Sequence, residues 1–465
     1  MRRANCQKKG SGATVTLLQI SAFAHRCHHL QRGSLFMAEE SAKEGMMSRI
    51  KFPIFILILA SIALAQNWVY GPVHPVGRHR WDAEYFPTTN KVYFFPGRIS
   101  TTYYNEIYSY DPVTQAYSGV LNSLPIAIAN YDICLLRDDY DLPAGDTYGL
   151  YCIAGSISGG YTNAVQVYYP VTNQTRIITT DPYGLAYGAV TAVVCDNKIY
   201  AFGGFAGGPP TNQGWVYDPS APPGTRWTPL PNLPLARCYM MGAVVDSFVY
   251  ALGGDTSDGV SLYPRSECWR LNTRNLGEGW QAITPLPYPT DQSRAFGFSS
   301  RSPYGFEKCI IVAGRGYWPS ESNESFIYNT QTNVWTTFPN LIQARRNHAG
   351  AFIPGTQNSN GIPGIWVWGG RQGSDLTCLT QSEYYQLRYT VRDVGVTKII
   401  EPTGMKELNT LVIPACSVYN FGNTTESYTV RMKIGIHYDS TVSVSGHAPG
   451  EYLYCLLYTS DAADE

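Results

Sequence analysis

Apolar residues in this chain gather in short runs that end in glycine. Six stand out: Val92–Gly97 (VYFFPG), Leu150–Gly155 (LYCIAG), Ile199–Gly204 (IYAFGG), Val249–Gly254 (VYALGG), Ile310–Gly314 (IIVAG) and Ile365–Gly370 (IWVWGG). Each is rich in β-branched and aromatic residues and too short for a helix, which predicts a buried strand. The closing glycines lie 58, 49, 50, 60 and 56 residues apart, so one unit recurs along the chain. A repeat of this length signals a solenoid, a propeller or an array.

Within a unit the pattern predicts four strands. The third repeat shows the order: Ala189–Cys195, Lys198–Gly204, Trp215–Asp218 and a last strand opening at Trp227. The double glycine marks a point of close approach or a turn with positive φ. Asp111-Pro112, Asp218-Pro219, Asn272-Thr273 and Asn329-Thr330 supply the turn after the third strand, since such residues fix φ or bond locally to the backbone. Trp227, Trp280 and Trp335 open the outer strand. Over Trp68–Leu387 these features resemble the kelch family. The resemblance implies an all-β chain, with a six-bladed kelch-type β-propeller over residues 66–390. The sixth repeat stops after Ser382–Leu387 with no tryptophan strand, whereas Trp68-Val69-Tyr70 stands alone at the other end. The N-terminal strand is therefore expected to complete the sixth blade, removing the free edges of an open stack.

From Asp393 the pattern changes to longer alternating segments, including Asp393-Val-Gly-Val396, Val418–Asn423 and Tyr428–Ile436. The DVGV opening and the V-x-N-x-G turn resemble the adhesion-related, immunoglobulin-like CARDB domains of bacteria. Residues 391–454 are thus expected to form a β-sandwich, and a truncated one, because such a fold takes about 100 residues.

The ends read differently. Residues 47–65 carry Arg49 and Lys51, an apolar core from Phe52 and the cleavage-like Ala63-Leu64-Ala65, which predicts a signal peptide. Its apolar stretch falls short of the roughly 20 residues of a spanning helix, so secretion is preferred over a retained anchor and no membrane span is expected in the mature chain. Residues 1–46 then read as a non-native leader. Residues 455–465 read as an adapter-derived tail. The expected location is extracellular or on a bacterial cell surface.

With both ends set aside, 25 basic residues face 29 acidic ones. Without a concentrated basic face, nucleic acid is excluded as a partner. Cys134, Cys152, Cys195, Cys238, Cys268, Cys309, Cys378 and Cys416 are irregularly spaced, with no CxxC among them. Export permits disulfides, and Cys134 with Cys152 is the candidate pair. The preferred reading is buried thiols acting as small hydrophobes.

Candidate chemistry is sparse. Galactose oxidase-like relatives hold copper with two histidines and two tyrosines, but the propeller region offers only His74, His79 and His348. No GxSxG elbow, HExxH helix or P-loop is present. No catalytic set, cofactor or metal is therefore assigned. The distinctive set is arginine: Arg98, Arg315 and Arg371 each follow a closing glycine, in repeats that adjoin in a closed ring. Guanidiniums there would bind a carboxylate or sulfate bidentately, and Tyr103, Tyr104, Tyr161, Phe205, Tyr317 and Trp318 would offer stacking surfaces. The preferred reading is structural and pairs each arginine with the glutamate opening its third strand, Glu106, Glu324 and Glu383 respectively, across the hairpin; ligand binding is the alternative, compatible with it where the pairs are exposed and weak. Arg237, Arg294 and Arg345 are read as structural arginines between blades. The leading functional expectation is a secreted, non-catalytic binding or adhesion protein for an extracellular protein or glycan. The alternatives are a carbohydrate-active enzyme of the sialic-acid mutarotase-like or galactose oxidase-like kind, and a structural envelope component.

Overall fold

The structure is a computed structural model that describes residues 67–457, apart from 139, 141, 301, 356–361, 388–390, 405, 407–409 and 437. The expected leader and signal peptide, and the tail beyond Leu457, lie outside the described residues. The chain divides into two units near Tyr389. No helix among the described residues is long and apolar enough to cross a membrane.

The first unit contains six antiparallel sheets in succession, each built on four strands in hydrogen-bonded order, with a fifth short strand, Asn122–Ser123, added to the first, besides three two-stranded hairpins. Their first strands are Asp82–Phe86, Ile133–Leu136, Thr191–Cys195, Met241–Val245, Arg294–Phe298 and Ala349–Ile353. Each first strand packs against those of the neighbouring sheets, and the sixth packs against the first. The second strands end at or just before the closing glycines of the repeats, except in the second sheet, where the strand Gly149–Ile157 continues past Gly155, and the third strands return antiparallel to them. In the sixth sheet the outer strand is Val69–Tyr70, paired with Tyr384 and Glu383. The sixth sheet is thereby built from both ends of the unit.

Trp68 repeats a bond made elsewhere by the outer-strand tryptophans. The indole N–H of Trp227 donates to Asp181 O (3.0 Å), that of Trp280 to Pro231 O (2.9 Å) and that of Trp335 to Thr284 O (2.9 Å). Trp68 donates to Pro339 O at 2.7 Å. In each case the acceptor lies just beyond the outer strand of the preceding sheet. The tryptophan thus stitches one sheet to the one before it, burying its ring while satisfying its single donor.

Around the axis the backbone closes on itself. Arg80, Asn130, Ala189, Tyr239, Gln292 and Asn347, one before each first strand, all have φ between 50° and 59°. Each of their amides donates to the carbonyl of its counterpart in the preceding sheet, and Arg80 N donates to Asn347 O (2.9 Å) to complete the circle. Left-handed backbone is unfavourable for residues with a side chain, and here it aims successive peptide groups around a closed ring of hydrogen bonds. Directly before each of these residues a single β-bridge joins the link to the residue after the closing glycines, or in the fifth sheet two after: His79 to Arg98, Ala129 to Ser156, Gly188 to Phe205, Cys238 to Asp255, Asp291 to Gly316 and Arg346 to Arg371. Glycine is needed at that crossing. A Cβ on Gly97 would stand 2.4 Å from His79 O, and one on Gly370 2.7 Å from Arg346 O.

The candidate disulfide does not form. The register sets Cys134 opposite Tyr151 and Cys152 opposite Ile133, one residue out of step. Successive side chains point to opposite faces, so Cys134 packs in the core shared with the third sheet and Cys152 in that shared with the first. Both are buried free thiols.

In the second unit, Val394–Glu401, Ala415–Asn420 and Tyr452–Leu456 form one sheet, and Glu426–Ile434 pairs with Tyr438–His447 in another. Alternate residues of these strands meet in a core of Cys416, Val418, Tyr428, Val430, Met432, Val444, Cys455 and Leu457. The boundary expected after Tyr454 falls inside a strand, because Cys455 lies opposite Cys416 and is buried.

Candidate functional site

The residues after the closing glycines surround one end of the axis. There a cavity of about 440 Å³ is lined by Arg80, Arg98, Tyr103, Ser156, Tyr161, Phe205 and Tyr239, among others. Phe205 touches both Tyr161 (5.8 Å between ring centres) and Tyr239 (5.6 Å), so the second to fourth sheets give this mouth an aromatic wall.

The sixth and first sheets give it a cationic one. Asp375, in the loop between the second and third strands of the sixth sheet, pairs with Arg98 at 3.0 Å, with Arg80 at 3.6 Å and with Arg371. Arg346 pairs with Glu321 at 3.4 Å. Trp318 lies over Arg346 (4.9 Å) and Arg371 (5.2 Å), in the geometry of cation–π contact. Arg98 also reaches the Tyr103 hydroxyl at 3.4 Å. Four guanidiniums so close share two carboxylates, and burial with the charges of Arg80, Arg346 and Arg98 pulls Arg371 down to about 9. His79 is buried in the same cluster and is pushed down to about 2, so it stays neutral. Its Nε2 meets the carbonyl oxygen of Asp375 at 3.2 Å.

Two of the three expected arginines therefore come together and the third does not. Arg315 pairs with Glu324 at 2.7 Å and stacks on Tyr317 at 4.3 Å, inside its own hairpin Arg315–Tyr317/Ser320–Ser322. One glycine, Gly314, precedes Arg315, and Gly316 takes the axial bridge. In the sixth sheet Gly369 and Gly370 both have positive φ and carry Arg371 to the axis. The hairpin pairing expected for Arg315 with Glu324 thus holds, whereas that expected for Arg98 and Arg371 is replaced. Glu106 pairs with Arg78 (3.8 Å) and Glu383 with Arg345 (2.5 Å), as Glu267 does with Arg237 (3.1 Å). Arg78, Arg237 and Arg345 each stand four residues before a first strand, so the glutamates serve these links.

Sequence reasoning missed Arg80, Arg346, Asp375 and Asp291. The first two occupy equivalent links, as His79-Arg80 and Arg345-Arg346, and aligning the links rather than the glycines reveals them. Asp255 and Asp291 face this cationic cluster from the fourth and fifth sheets; both are fully buried, with their carboxyls in hydrogen-bonding reach of each other. Burial raises both, and the charge of Asp291 raises Asp255 further. Two carboxyls so placed share a proton.

The opposite end of the axis is different. A cavity of about 430 Å³ is lined by first-strand residues including Glu84, Leu135, Val193, Val244, Phe296 and Phe352. Arg294 crosses it, bonding His348 O (2.9 Å), Trp81 O (2.8 Å), Asp132 (2.5 Å) and Asp82 (3.1 Å). Its partners come from three other sheets, which makes Arg294 a strut. Burial and the charge of Asp82 push Glu84 up to about 8.

The three histidines occupy unlike settings. His74 is packed among the rings of Trp81, Phe94, Tyr108 and Tyr117, and burial lowers it to about 4. His348 is fully buried beside Arg345 and Arg294. Among the described residues no group of three or more His, Cys, Asp or Glu side chains is placed to hold a metal ion.

A closed set of four-stranded sheets with glycine-ended second strands defines a propeller of the kelch type. The Kelch motif matches residues 186–234, which cover the third sheet. Human Kelch-like protein 23 is 24% identical over 251 residues, covering 52% of this chain and 39% of that protein. Kelch-like protein terF of Aspergillus terreus is 29% identical over 202 residues, covering 41% of each. The chain thus spans about two fifths of the length of these curated relatives. Among solved structures, the kelch-type propeller YjhT superposes with a TM-score of 0.50 at 15% identity, covering 67% of this chain and 96% of that one. That likeness concerns the fold.

Proposed function

We propose that this chain is a secreted, non-catalytic binding protein, in which a six-bladed kelch-type propeller is the ligand platform and the CARDB-like sandwich follows as a spacer toward a bacterial cell surface. The observation that carries the reading is the mouth, where a ring-sized cavity combines an aromatic wall with guanidiniums. Kelch domains mediate protein interactions, and aromatic residues with arginine are the side chains that dominate binding surfaces. The ligand is an extracellular protein or glycan. Protein and glycan arrays probed with the wild type and with a Tyr103→Ala/Tyr161→Ala double variant test this. A ligand held by the wild type and released by the double variant is expected. Array signals that ignore the double substitution, or none at all, would contradict it.

One observation favours a second reading, an enzyme acting on a sugar acid in the manner of the mutarotase-like propellers. The Asp255/Asp291 pair faces the cationic cluster, so a proton carrier stands near groups suited to a carboxylate. Anomer exchange of sugar acids followed by NMR, and its loss in Asp291→Asn, would support that reading over the first.

A further inference from the structure

Arg371 is 1% exposed, yet its Nε and Nη2 atoms have no hydrogen-bond partner. These two N–H groups form one edge of a guanidinium, the fork that grips a carboxylate bidentately. Arg80 and Arg98 likewise leave Nε unpartnered and buried, whereas Nε of Arg346 faces Glu321. Buried donors without acceptors are costly, and four in one place point to an acceptor that the folded chain does not itself supply. Asp375 is the internal substitute. Its side chain is about one third exposed and is shared by Arg80, Arg98 and Arg371. Its backbone carbonyl is held separately by Ser100 N and His79, so the carboxylate can rotate away while the loop stays anchored.

The charge balance sets the sign of the ligand's charge. Four guanidiniums face Asp375, Glu321 and the buried Asp255/Asp291 pair, and once Asp375 swings out they outnumber the carboxylates that remain. The forked edge of Arg371 then selects a carboxylate. Arg80 and Arg98 line the cavity, whereas Arg346 and Arg371 lie behind them.

We propose that the mouth binds a single carboxylate, seated on Arg80 and Arg98 and backed by Arg371, and that Asp375 is the internal carboxylate with which it exchanges. The inference rests on the platform reading and names the chemistry of its ligand. The carboxylate is carried by a free small acid or by an Asp or Glu side chain of a protein partner.

Isothermal titration of the full chain with benzoate, with its neutral analogue benzamide and with an N-acetylated, C-amidated glutamate tests the proposal. Benzoate matches the aromatic wall and stands for free acids; the capped glutamate stands for a partner's side chain. Binding of either acid, with none by benzamide, is expected. Asp375→Asn should tighten it by roughly ten-fold or more, since it removes the competing charge at close range. Arg98→Gln, a mostly buried position at the cavity wall where folding is verified by an unchanged melting temperature, should weaken it by a similar factor. Equal binding of benzamide, or Asp375→Asn binding the acids no more tightly than the wild type, would overturn the proposal. Array ligands lost in the Tyr103/Tyr161 double variant but untouched by Asp375→Asn and Arg98→Gln would leave the platform standing and remove the carboxylate site.

Discussion

The two ends of the propeller axis use the same residue type to opposite purposes. At one end Arg294 spends its donors on two backbone carbonyls and two carboxylates drawn from three other sheets. At the other, four arginines crowd around Asp375 and Glu321, and the edge of Arg371 is left bare. A saturated guanidinium is a strut, because every donor already has a fixed acceptor. An unsaturated, mutually repelling cluster stores a demand for an anion. Arginine content alone does not separate structure from function; donor accounting does.

The largest effect is expected at the strut. Arg294→Met leaves Asp82 and Asp132 without their counter-charge inside the bore and should cost about 3–5 kcal/mol, read as a fall in urea midpoint. Trp68→Ala opens the ring that both ends share and should cost about 3 kcal/mol. It should lower the protection of amides in the sixth and fifth sheets together; loss confined to the terminus would argue against closure by this strand. Glu84→Gln tests the acidic end through pH. The folded chain raises this carboxyl from the ordinary range to about 8, so its ionisation opposes folding. That penalty is absent below the ordinary carboxylate range, grows as pH rises from there to about 8, and is constant above it. The substitution should therefore stabilise by on the order of 1–2 kcal/mol at pH 8.5 and by little at pH 5. Arg371→Met gives the smallest change in stability, within about 1 kcal/mol, because relief of repulsion offsets lost packing. A cost as large as that of Arg294→Met would erase the contrast between the ends.

Much of the fold is legible in the chain. The glycine-ended runs mark every second strand, and the orphan Trp68-Val69-Tyr70 marks how the sixth sheet is completed. The mouth was legible in part. Arg98 and Arg371 stand together because both occupy the axial position, whereas Arg315 keeps the hairpin pairing with Glu324 that its sequence suggests and leaves the mouth, because a glycine-arginine-glycine order shifts that position by one residue. Asp375 and Asp291 were invisible, since no local pattern tells which loop residue a closed ring brings beside an arginine. The hairpin pairs Arg98–Glu106 and Arg371–Glu383 failed for a related reason. Positive-φ glycines carry Arg371, and Gly97 carries Arg98, away from the ladder on which cross-strand pairing depends.

The account turns on whether the crowded end demands an anion and the strutted end does not. Melting temperatures of the wild type at low ionic strength, with benzoate or benzamide added in large excess, measure this directly, because a ligand of the folded state alone raises stability by mass action. The account predicts a rise with benzoate, none with benzamide, and loss of that rise in Arg98→Gln. A benzoate shift that survives Arg98→Gln, or its absence from the wild type, would contradict it.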